Sequence, residues 1–349
     1  MSGNPMLGVV LHALGGVAHG TFYAPLHKVR KWAWESSWLM QGLAAWIVTP
    51  WLVASMLGTH PWEVLWNSPP RSLLLSFLFG AMWGFGSLTF GMTMRFLGMS
   101  LGMAVALGFC ATFGTLIPPL VAGQFGSLCA TTGGLTVLGG VLVCLVGIAQ
   151  CGYAGVRKER ELTDEEKKAG IKEFALGKGF LVAVFSGIMS AGFAFGISAG
   201  KPIADLAFAL GSSDIFKNSP VFIVVMAGGF TVNFVWCLLL NVKNRSLGNY
   251  VSGPARVQAA NYLLSAAAGV IWYTGFFFYG MGTTQMGRYD FSSWSIHLAF
   301  VIVFSTICGI ILKEWKGVSR RTSVLVATGI AILILSTVVT GLGNYLASH

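Results

Sequence analysis

The sequence predicts an all-α membrane protein whose ten transmembrane helices form two inverted five-helix repeats. Of the 349 residues, 55% are hydrophobic and only 10% are charged, whereas a soluble domain carries about 25% charged residues. Long stretches lack Asp, Glu, Lys and Arg altogether, and a helix that crosses a bilayer needs about 20 apolar residues. Two segments in different halves of the chain also share a tryptophan-centred spacing. These observations indicate that most of the protein surface faces lipid.

Charge-free stretches define the predicted helices in chain order. The stretch 96–156 is too long for one span and has a Gly-, Thr- and Ser-rich middle at 123–134, so two helices are assigned to it. Backbone groups must be paired inside a bilayer, and the stretches lack the alternation of barrel strands, so helices are predicted throughout. The nine stretches are 1–27, 36–62, 72–94, 96–156, 179–200, 218–242, 257–287, 291–312 and 322–349.

A hydrophilic segment divides the predicted spans into two groups of five. We therefore expect a first five-helix repeat at 1–156, a charged cytoplasmic linker at 157–178 and a second five-helix repeat at 179–349. With an odd number of spans in each half, the second half enters the membrane from the opposite side, as in many transporters built from repeats.

The repeated spacing connects the third predicted helix with the eighth. In both copies a Trp is followed at offsets of 7, 8, 9 and 15 residues by an aromatic residue, Gly, Met and Gly. Trp is uncommon, so the match indicates an internal duplication. The two copies are Trp83, Phe90, Gly91, Met92 and Gly98, and Trp272, Tyr279, Gly280, Met281 and Gly287.

The Lys and Arg residues predict the orientation. Loops after the odd-numbered spans hold 18 of the 22, and loops after the even-numbered spans hold four. By the positive-inside rule the odd loops are cytoplasmic and both termini are periplasmic. The net charge of +10 is therefore interpreted as a topology signal, and no nucleic-acid partner is expected. The six Cys include no C-x-x-C pair, so neither a disulfide framework nor a metal site is predicted.

Sequence motifs argue against an enzyme. No charge-free stretch contains paired carboxylates, and no zinc-protease, nucleophile-elbow, phosphate-loop or dinucleotide motif occurs. The prediction is a secondary transporter that uses no cofactor and takes its energy from an ion gradient.

Asp290 and His297 are the first candidates for ion coupling. They are seven residues apart at the start of the ninth predicted helix, which places them on one face and roughly 10 Å apart in depth. An acid and an imidazole in line form a plausible proton route. The alternative is that Asp290 caps the helix and pairs with Arg288.

Aromatic residues in the eighth predicted helix are candidates for a sugar site. Trp272, Phe276 and Tyr279 form a stripe at i, i+4 and i+7, and Tyr273 lies beside it. Aromatic faces stack on the C–H surfaces of sugars, although such a stripe is more often packing or lipid contact. The matching Trp83 favours a site at the repeat interface, with the sugar between the two indoles.

The first helix and two charged helix ends supply the remaining candidates. His12 and His19 share one face of the first helix, and a histidine at membrane depth is either functional or a hydrogen-bonded core residue. Lys28, Glu35 and Glu314 are candidates for interfacial ion pairs or for gating at cytoplasmic helix ends.

Several longer motifs are distributed over nearly the whole chain. They are Phe-Tyr-Ala-Pro at 22–25, Phe-Gly-Ala-Met-Trp-Gly at 79–84, Thr-Met-Arg at 93–95, Leu-Gly-Met-Ser at 97–100, Lys-Pro at 201–202, Phe-Phe-Phe-Tyr at 276–279, Tyr-Asp at 289–290 and Lys-Glu-Trp at 313–315. With these motifs the chain resembles the bacterial L-rhamnose–proton symporter family of the drug/metabolite transporter superfamily. The resemblance covers nearly the whole length and implies ten spans in two inverted repeats. It also implies uptake of L-rhamnose, or of L-lyxose or L-mannose, together with protons.

The resemblance extends to individual site residues. His12, Asp290 and His297 stand where the family pattern has the same residue, whereas His19 does not and is ranked lower. The family pattern has Asn at the position of Ser87 and Gln at the position of Gly275. Each position lies one turn from its repeat's Trp, and a buried amide that reads a hydroxyl can change specificity.

The sequence thus predicts proton-coupled uptake of L-rhamnose across the bacterial inner membrane by alternating access. Asp290 is the first candidate for coupling, with His297 and His12 as relays or sugar ligands. The expected partners are the sugar, the proton and the lipid bilayer, and the protein is expected to be a monomer or a homodimer. The alternatives are an exporter or exchanger of another small metabolite and a sensor without flux.

Overall fold

The computed structural model describes residues 4–97, 99–121, 123–161, 176–311 and 317–348. Within these ranges the chain is built from α-helices with short 3₁₀ and π segments, and no strand occurs there. The helices are α1 Pro5–Thr21, α2 Trp34–Gly42, α3 Thr49–Met56, α4 Pro61–Asn67, α5 Pro70–Leu97, α6 Met99–Val121, α7 Phe125–Cys129, α8 Thr132–Glu161, α9 Leu176–Ser190, α10 Gly192–Ala199, α11 Lys201–Ala209, α12 Ser219–Lys243, α13 Ala255–Gln285, α14 Ser293–Ile311 and α15 Arg320–Ser348.

Eight helical segments among the described residues are long and apolar enough to cross a membrane. Large apolar side chains on their outer surfaces are exposed, for example Leu181 at 71%, as expected where lipid is the solvent. The protein is therefore an all-helical, multi-pass membrane protein. The segments are Trp34–Met56, Pro70–Phe90, Thr132–Lys158, Gly177–Ala209, Asp214–Lys243, Ala255–Gln285, Asp290–Cys308 and Arg320–Leu346.

Two of these segments are interrupted helices. α2 and α3 are joined by a π-helical segment, Leu43–Val48, which directly precedes Pro50 in the first turn of α3. A proline lacks the N–H for a helical hydrogen bond, and π-bulges often accommodate such a break. The second interrupted segment, α9 to α11, continues to Ala209, nine residues past the predicted end at Gly200. Lys201 and Asp205 occupy the extra turns, where a helix can leave the apolar layer.

Glycines allow the central helices to approach closely. A Cβ atom on Gly80 of α5 would overlap the carbonyl oxygen of Val225 of α12, and one on Gly228 of α12 would overlap the carbonyl oxygen of Phe77. Lipid is as apolar as the surfaces of these helices, so the hydrophobic effect does not drive helices together in a bilayer. They associate through close van der Waals packing instead. Larger residues at these two glycines would force α5 and α12 apart.

The helices of the two halves pack in corresponding ways. Helix α5 of the first half packs against α9 and α12 of the second, and α6 packs against α8 of its own half and α9 of the second. Correspondingly, α13 of the second half packs against α1 and the α2–α3 segment of the first, and α14 packs against α15 of its own half and α1 of the first. α8 and α15, the last helices of each half, pack along one another.

Glu161 joins the end of α8 to the start of α15. Its carboxylate accepts hydrogen bonds from Thr322 Oγ1 at 2.6 Å, Ser319 Oγ at 2.7 Å and the Ser319 backbone N–H at 2.6 Å. The hydrogen bonds from Thr322 and Ser319 lower the pKa of Glu161 to about 2. These contacts therefore depend on the ionised carboxylate.

This pKa predicts an acid-sensitive α8–α15 junction. An unfolded-chain Glu titrates near pH ~4.3, so the stabilisation is fully present above that value and is lost as the pH falls toward the folded pKa of about 2. We expect the thermal midpoint of the wild type to fall more between pH 6 and pH 3 than that of Glu161→Gln. Glu63→Gln, at an exposed position of α4, is the control. An identical acid sensitivity in wild type and Glu161→Gln would contradict this account.

Candidate functional site

Three tryptophans form the centre of the molecule. The indoles of Trp83 on α5 and Trp272 on α13 stack with centroids 5.6 Å apart and an interplanar angle of 29°. Trp46, from the π segment, packs edge-on against both at 5.6 and 5.5 Å. All three are buried, with exposures of 2 to 9%. The repeated tryptophans therefore meet inside the protein, as expected, and do not face lipid.

The direct stacking of Trp83 on Trp272 bears on the predicted sugar position. The sequence predicts a sugar between the two indoles, but in this conformation the rings contact each other and fill that space. A ligand can occupy it only if α5 and α13 separate.

The aromatic stripe of α13 faces the same core. The ring centroid of Phe276 lies 4.1 Å from that of Phe193 of α10, and the ring centroid of Tyr279 lies 5.6 Å from that of Trp294 of α14. Both stripe residues are buried, so lipid contact is excluded for them in this conformation. Tyr273 is buried on the adjoining face of α13, where its ring lies 6.5 Å from Phe277.

Three histidines line the other side of this core. His12 and His19 project from α1 and His297 projects from α14, with exposures of 0, 9 and 1%. His19 Nδ1 and His297 Nε2 are 2.9 Å apart, a hydrogen bond whose donor depends on the tautomers. The His12 ring lies 6.1 Å from that of His297 and 5.5 Å from that of Tyr279.

The histidines carry ring nitrogens that have no hydrogen-bond partner among the described residues. These are Nδ1 and Nε2 of His12, Nε2 of His19 and Nδ1 of His297. An unsatisfied buried donor or acceptor costs about 1–3 kcal/mol, so native proteins rarely retain one without a reason. Four such atoms beside stacked aromatic rings are suited to a ligand that combines hydroxyl groups with C–H faces.

Gly275 explains how His19 enters the site. A Cβ atom at Gly275 would lie 2.5 Å from the His19 ring, so the imidazole occupies the space that any side chain at residue 275 would need. The His19 ring also packs against the rings of Phe276 and Trp272, with centroid distances of 4.5 and 5.3 Å. The seven-residue spacing predicts that His19 shares a helix face with His12. The family resemblance alone does not indicate His19 as a site residue.

Ser87, the second departure from the family pattern, belongs to a polar contact between α5 and α12. Asn233 Nδ2 donates to Ser87 Oγ at 3.1 Å, and Asn233 Oδ1 accepts from Trp38 Nε1 at 3.2 Å. Thus an amide remains at this level of the core, but it is supplied by α12 and not by α5.

Asp290 lies at one end of the molecule in an ion pair that the sequence did not predict. It belongs to the 3₁₀ segment Gly287–Ser292, and α14 begins at Ser293. Its carboxylate is 3.1 Å from Lys201 Nζ, and the two side chains are 37% and 63% exposed. The Arg288 side chain, its alternative partner, lies outside the described part of the structure.

A cavity of about 320 Å³ opens beside this ion pair. Lys201, Asp290, Asn218, Thr283 and Tyr279 are among its lining residues. Tyr279 also contacts the rings of His12 and His297, so its side chain connects the cavity lining to the histidines.

At the opposite end of the molecule, Glu35 is buried in a hydrogen-bonded network. Glu35 Oε1 accepts from Asn244 Nδ2 at 3.0 Å and from Ser246 Oγ at 2.7 Å, which joins the start of α2 to the loop after α12. Lys28 ends a 3₁₀ segment and is exposed. Neither Glu35 nor Lys28 forms an ion pair within the described ranges, and Glu314 lies outside them.

The residues described here contain no cluster of His, Cys, Asp and Glu that could hold a metal ion. The six cysteines are unpaired. The buried polar side chains beside the tryptophans are imidazoles, amides and hydroxyls, groups that can hydrogen-bond to a ligand.

Comparison with known proteins identifies the family. The family model described as L-rhamnose-proton symport protein (RhaT) matches residues 1–347. The L-rhamnose-proton symporter of Cronobacter sakazakii (strain ATCC BAA-894) is 39% identical over 348 residues, covering 98% of this chain and 99% of that protein. The protein of the same description in Yersinia pestis (strain Pestoides F) is 38% identical over 341 residues, covering 97% and 98%. The resemblance seen in the sequence is confirmed, and the chain belongs to the L-rhamnose-proton symport protein (RhaT) family.

Proposed function

We propose that this protein imports L-rhamnose together with protons across the bacterial inner membrane by alternating access. Full-length similarity to proteins named L-rhamnose-proton symporter supports this function over export or exchange of another metabolite. The observation that carries it is the buried Trp83–Trp272 stack beside four unpartnered imidazole nitrogens. L-lyxose and L-mannose are the alternative sugars.

We further propose ten spans, formed when α1 and α6 add to the eight segments that are long and apolar enough. The corresponding packing of the two halves supports inverted repeats at 1–156 and 179–349, joined by a cytoplasmic linker at 157–178. The excess of Lys and Arg in odd-numbered loops supports periplasmic termini. The protein acts as a monomer or a homodimer.

The sugar binds in the aromatic core once the two indoles separate. Its C–H faces stack on the indoles and on the α13 stripe, and its hydroxyls hydrogen-bond to imidazole nitrogens. The residues proposed to contact it are His12, Trp83, Ser87, Trp272, Tyr273, Phe276, Tyr279 and His297.

Asp290 takes up the coupling proton from the periplasm. Protonation removes the negative charge that faces Lys201 at 3.1 Å, so the ion pair between α11 and the 3₁₀ segment breaks and the cavity can close over the sugar. His297 and His12 pass the proton inward or bind sugar hydroxyls. A membrane potential of 100 mV supplies about 2.3 kcal/mol per charge moved, enough to drive accumulation.

The open cavity and the Glu35 network support an outward-facing assignment for this conformation. The cavity lies at the end that holds Lys201 and Asp290, in loops predicted to be periplasmic. The Glu35 network closes the end predicted to be cytoplasmic. In the inward-facing state this network opens and the Asp290 end closes, so Glu35 acts as a gate residue.

Counterflow in liposomes tests the function. Vesicles that contain the purified protein are loaded with unlabelled L-rhamnose and diluted into labelled L-rhamnose without any gradient. We expect transient accumulation of label, inhibited by L-lyxose or L-mannose if they share the site. Absence of counterflow, with a stabilising thermal shift by another metabolite, would favour the exporter or exchanger.

A further inference from the structure

The His19–His297 contact has a property that neither ring has alone. A neutral imidazole carries one N–H and one bare nitrogen. Since Nδ1 of His19 and Nε2 of His297 share one hydrogen bond at 2.9 Å, one of them is the donor. The two outer atoms, Nε2 of His19 and Nδ1 of His297, then always consist of one donor and one acceptor. Neither outer atom has a side-chain partner among the described residues, and the backbones of Trp272 and His12 lie against the His19 and His297 rings, respectively.

The three histidine rings lie at successive levels along the axis of α1. His12 precedes His19 by seven residues, or about 10 Å of helix, with His12 nearer the predicted periplasmic end. His297 lies between them, because its ring is 6.1 Å from that of His12 and 5.0 Å from that of His19. A Cβ atom at Gly15 of α1 would lie 3.0 Å from His297 Cε1, which places His297 at the level of Gly15.

The surroundings hold the His19–His297 pair in place. Phe276 and Trp272 pack against the His19 ring, and His12 and Tyr279 are the titratable neighbours whose rings contact His297. The missing side chain at Gly275 gives His19 the space to reach His297, since a Cβ there would lie 2.5 Å from the imidazole. Thus the contact of His19 with His297 depends on the absence of a side chain at Gly275.

We propose that His19 and His297 form a one-proton relay that carries the coupling proton from the periplasmic half of the site to the cytoplasmic half. This inference rests on the proposed symport and adds His19 to its coupling residues. The relay starts with His297 Nε2–H donating to His19 Nδ1, so that His297 Nδ1 is bare and His19 Nε2 carries hydrogen.

The transfer conserves one proton. A proton that enters from the periplasmic cavity binds to His297 Nδ1, the hydrogen on His297 Nε2 crosses to His19 Nδ1, and the hydrogen on His19 Nε2 passes to water once the inward-facing state exposes that atom. Both rings are neutral again, but the shared hydrogen bond now runs from His19 to His297. A second proton cannot follow until both tautomers are reset. Reset requires the rings to turn over, and Phe276 and Trp272 pack against the His19 ring in this conformation. One proton therefore passes in each transport cycle.

Uncoupling by His19→Asn tests the relay, because an amide cannot pass a proton in this way. A gradient of one pH unit, coupled to one proton per sugar, supports about tenfold accumulation. In liposomes we expect wild type to approach this value with L-rhamnose, and His19→Asn to equilibrate the sugar without accumulation while counterflow persists. His60→Asn, at an exposed histidine that starts α4, is the matched control and should accumulate normally.

Gly275→Ala provides an independent test with His19 still present. Its methyl group displaces the imidazole from His297, so this variant should also lose proton-driven accumulation. Normal accumulation by a folded His19→Asn, or loss of counterflow in parallel with accumulation in both variants, would overturn the relay. If His19→Asn does not fold, Gly275→Ala decides alone. Absence of L-rhamnose counterflow in wild type would instead overturn the proposed function.

Discussion

Replacing Asp290 with Asn is expected to abolish proton-driven uptake while exchange of sugar across the membrane persists. The Asn side chain cannot take up a proton, and it cannot form the 3.1 Å ion pair with Lys201 that protonation is proposed to break. Under a gradient of one pH unit, accumulation should fall from about tenfold to simple equilibration. The measurement is uptake of labelled L-rhamnose into liposomes with and without the gradient.

Asp214→Asn is the matched control for this change. Asp214 pairs with Lys217 at 2.8 Å, lies at the same end of the molecule and is 43% exposed. Exposed pairs of this kind contribute only about 0–1 kcal/mol, so its loss should leave driven uptake intact. If Asp290→Asn retains full driven uptake, Asp290 is not the coupling acid.

Trp272→Ala is expected to weaken sugar binding at least tenfold. Trp272 contacts Trp46, Trp83 and Phe276 in the core, and buried tryptophans in binding sites often contribute about 2 kcal/mol or more. The KM for L-rhamnose counterflow should rise accordingly. Because a cavity of this size also destabilises the fold, Trp272→Phe is measured beside it and should give an intermediate KM.

Trp66→Ala controls for the loss of an indole as such. Trp66 is 90% exposed at the end of α4, where tryptophans anchor helices at the membrane interface. Its replacement should leave KM unchanged. An unchanged KM in a folded Trp272→Phe variant and a folded Trp272→Ala variant would remove Trp272 from the sugar site.

The helical fold could be predicted because it follows from local properties of the chain. Runs without charges specify helices in lipid, where no other backbone arrangement satisfies its hydrogen bonds. The π segment at 43–48 and the continuation of the sixth predicted helix to Ala209 were not predicted. Both lie where distant segments meet: Trp46 of the first packs against Trp83 and Trp272, and Lys201 of the second pairs with Asp290.

The candidate site was predictable where sequence spacing reflects one helix face. The repeated Trp spacing indicated that Trp83 and Trp272 would meet, and they do. Contacts between distant segments were not predictable in the same way. The Lys201–Asp290 pair joins residues 89 positions apart, and Glu35 is satisfied by Asn244 and Ser246 from a loop of the other half. His19 was visible in the sequence, but its bond to His297 emerges only when α1 packs against α14.

The most direct test of the central claim is the pH of a lightly buffered, de-energised suspension of cells that produce this protein. Addition of L-rhamnose should make the external medium more alkaline as sugar and protons enter together, and a protonophore should abolish the signal. Cells that produce Asp290→Asn should show no alkalinisation. Uptake of labelled L-rhamnose by the wild type without any change in external pH would contradict proton symport.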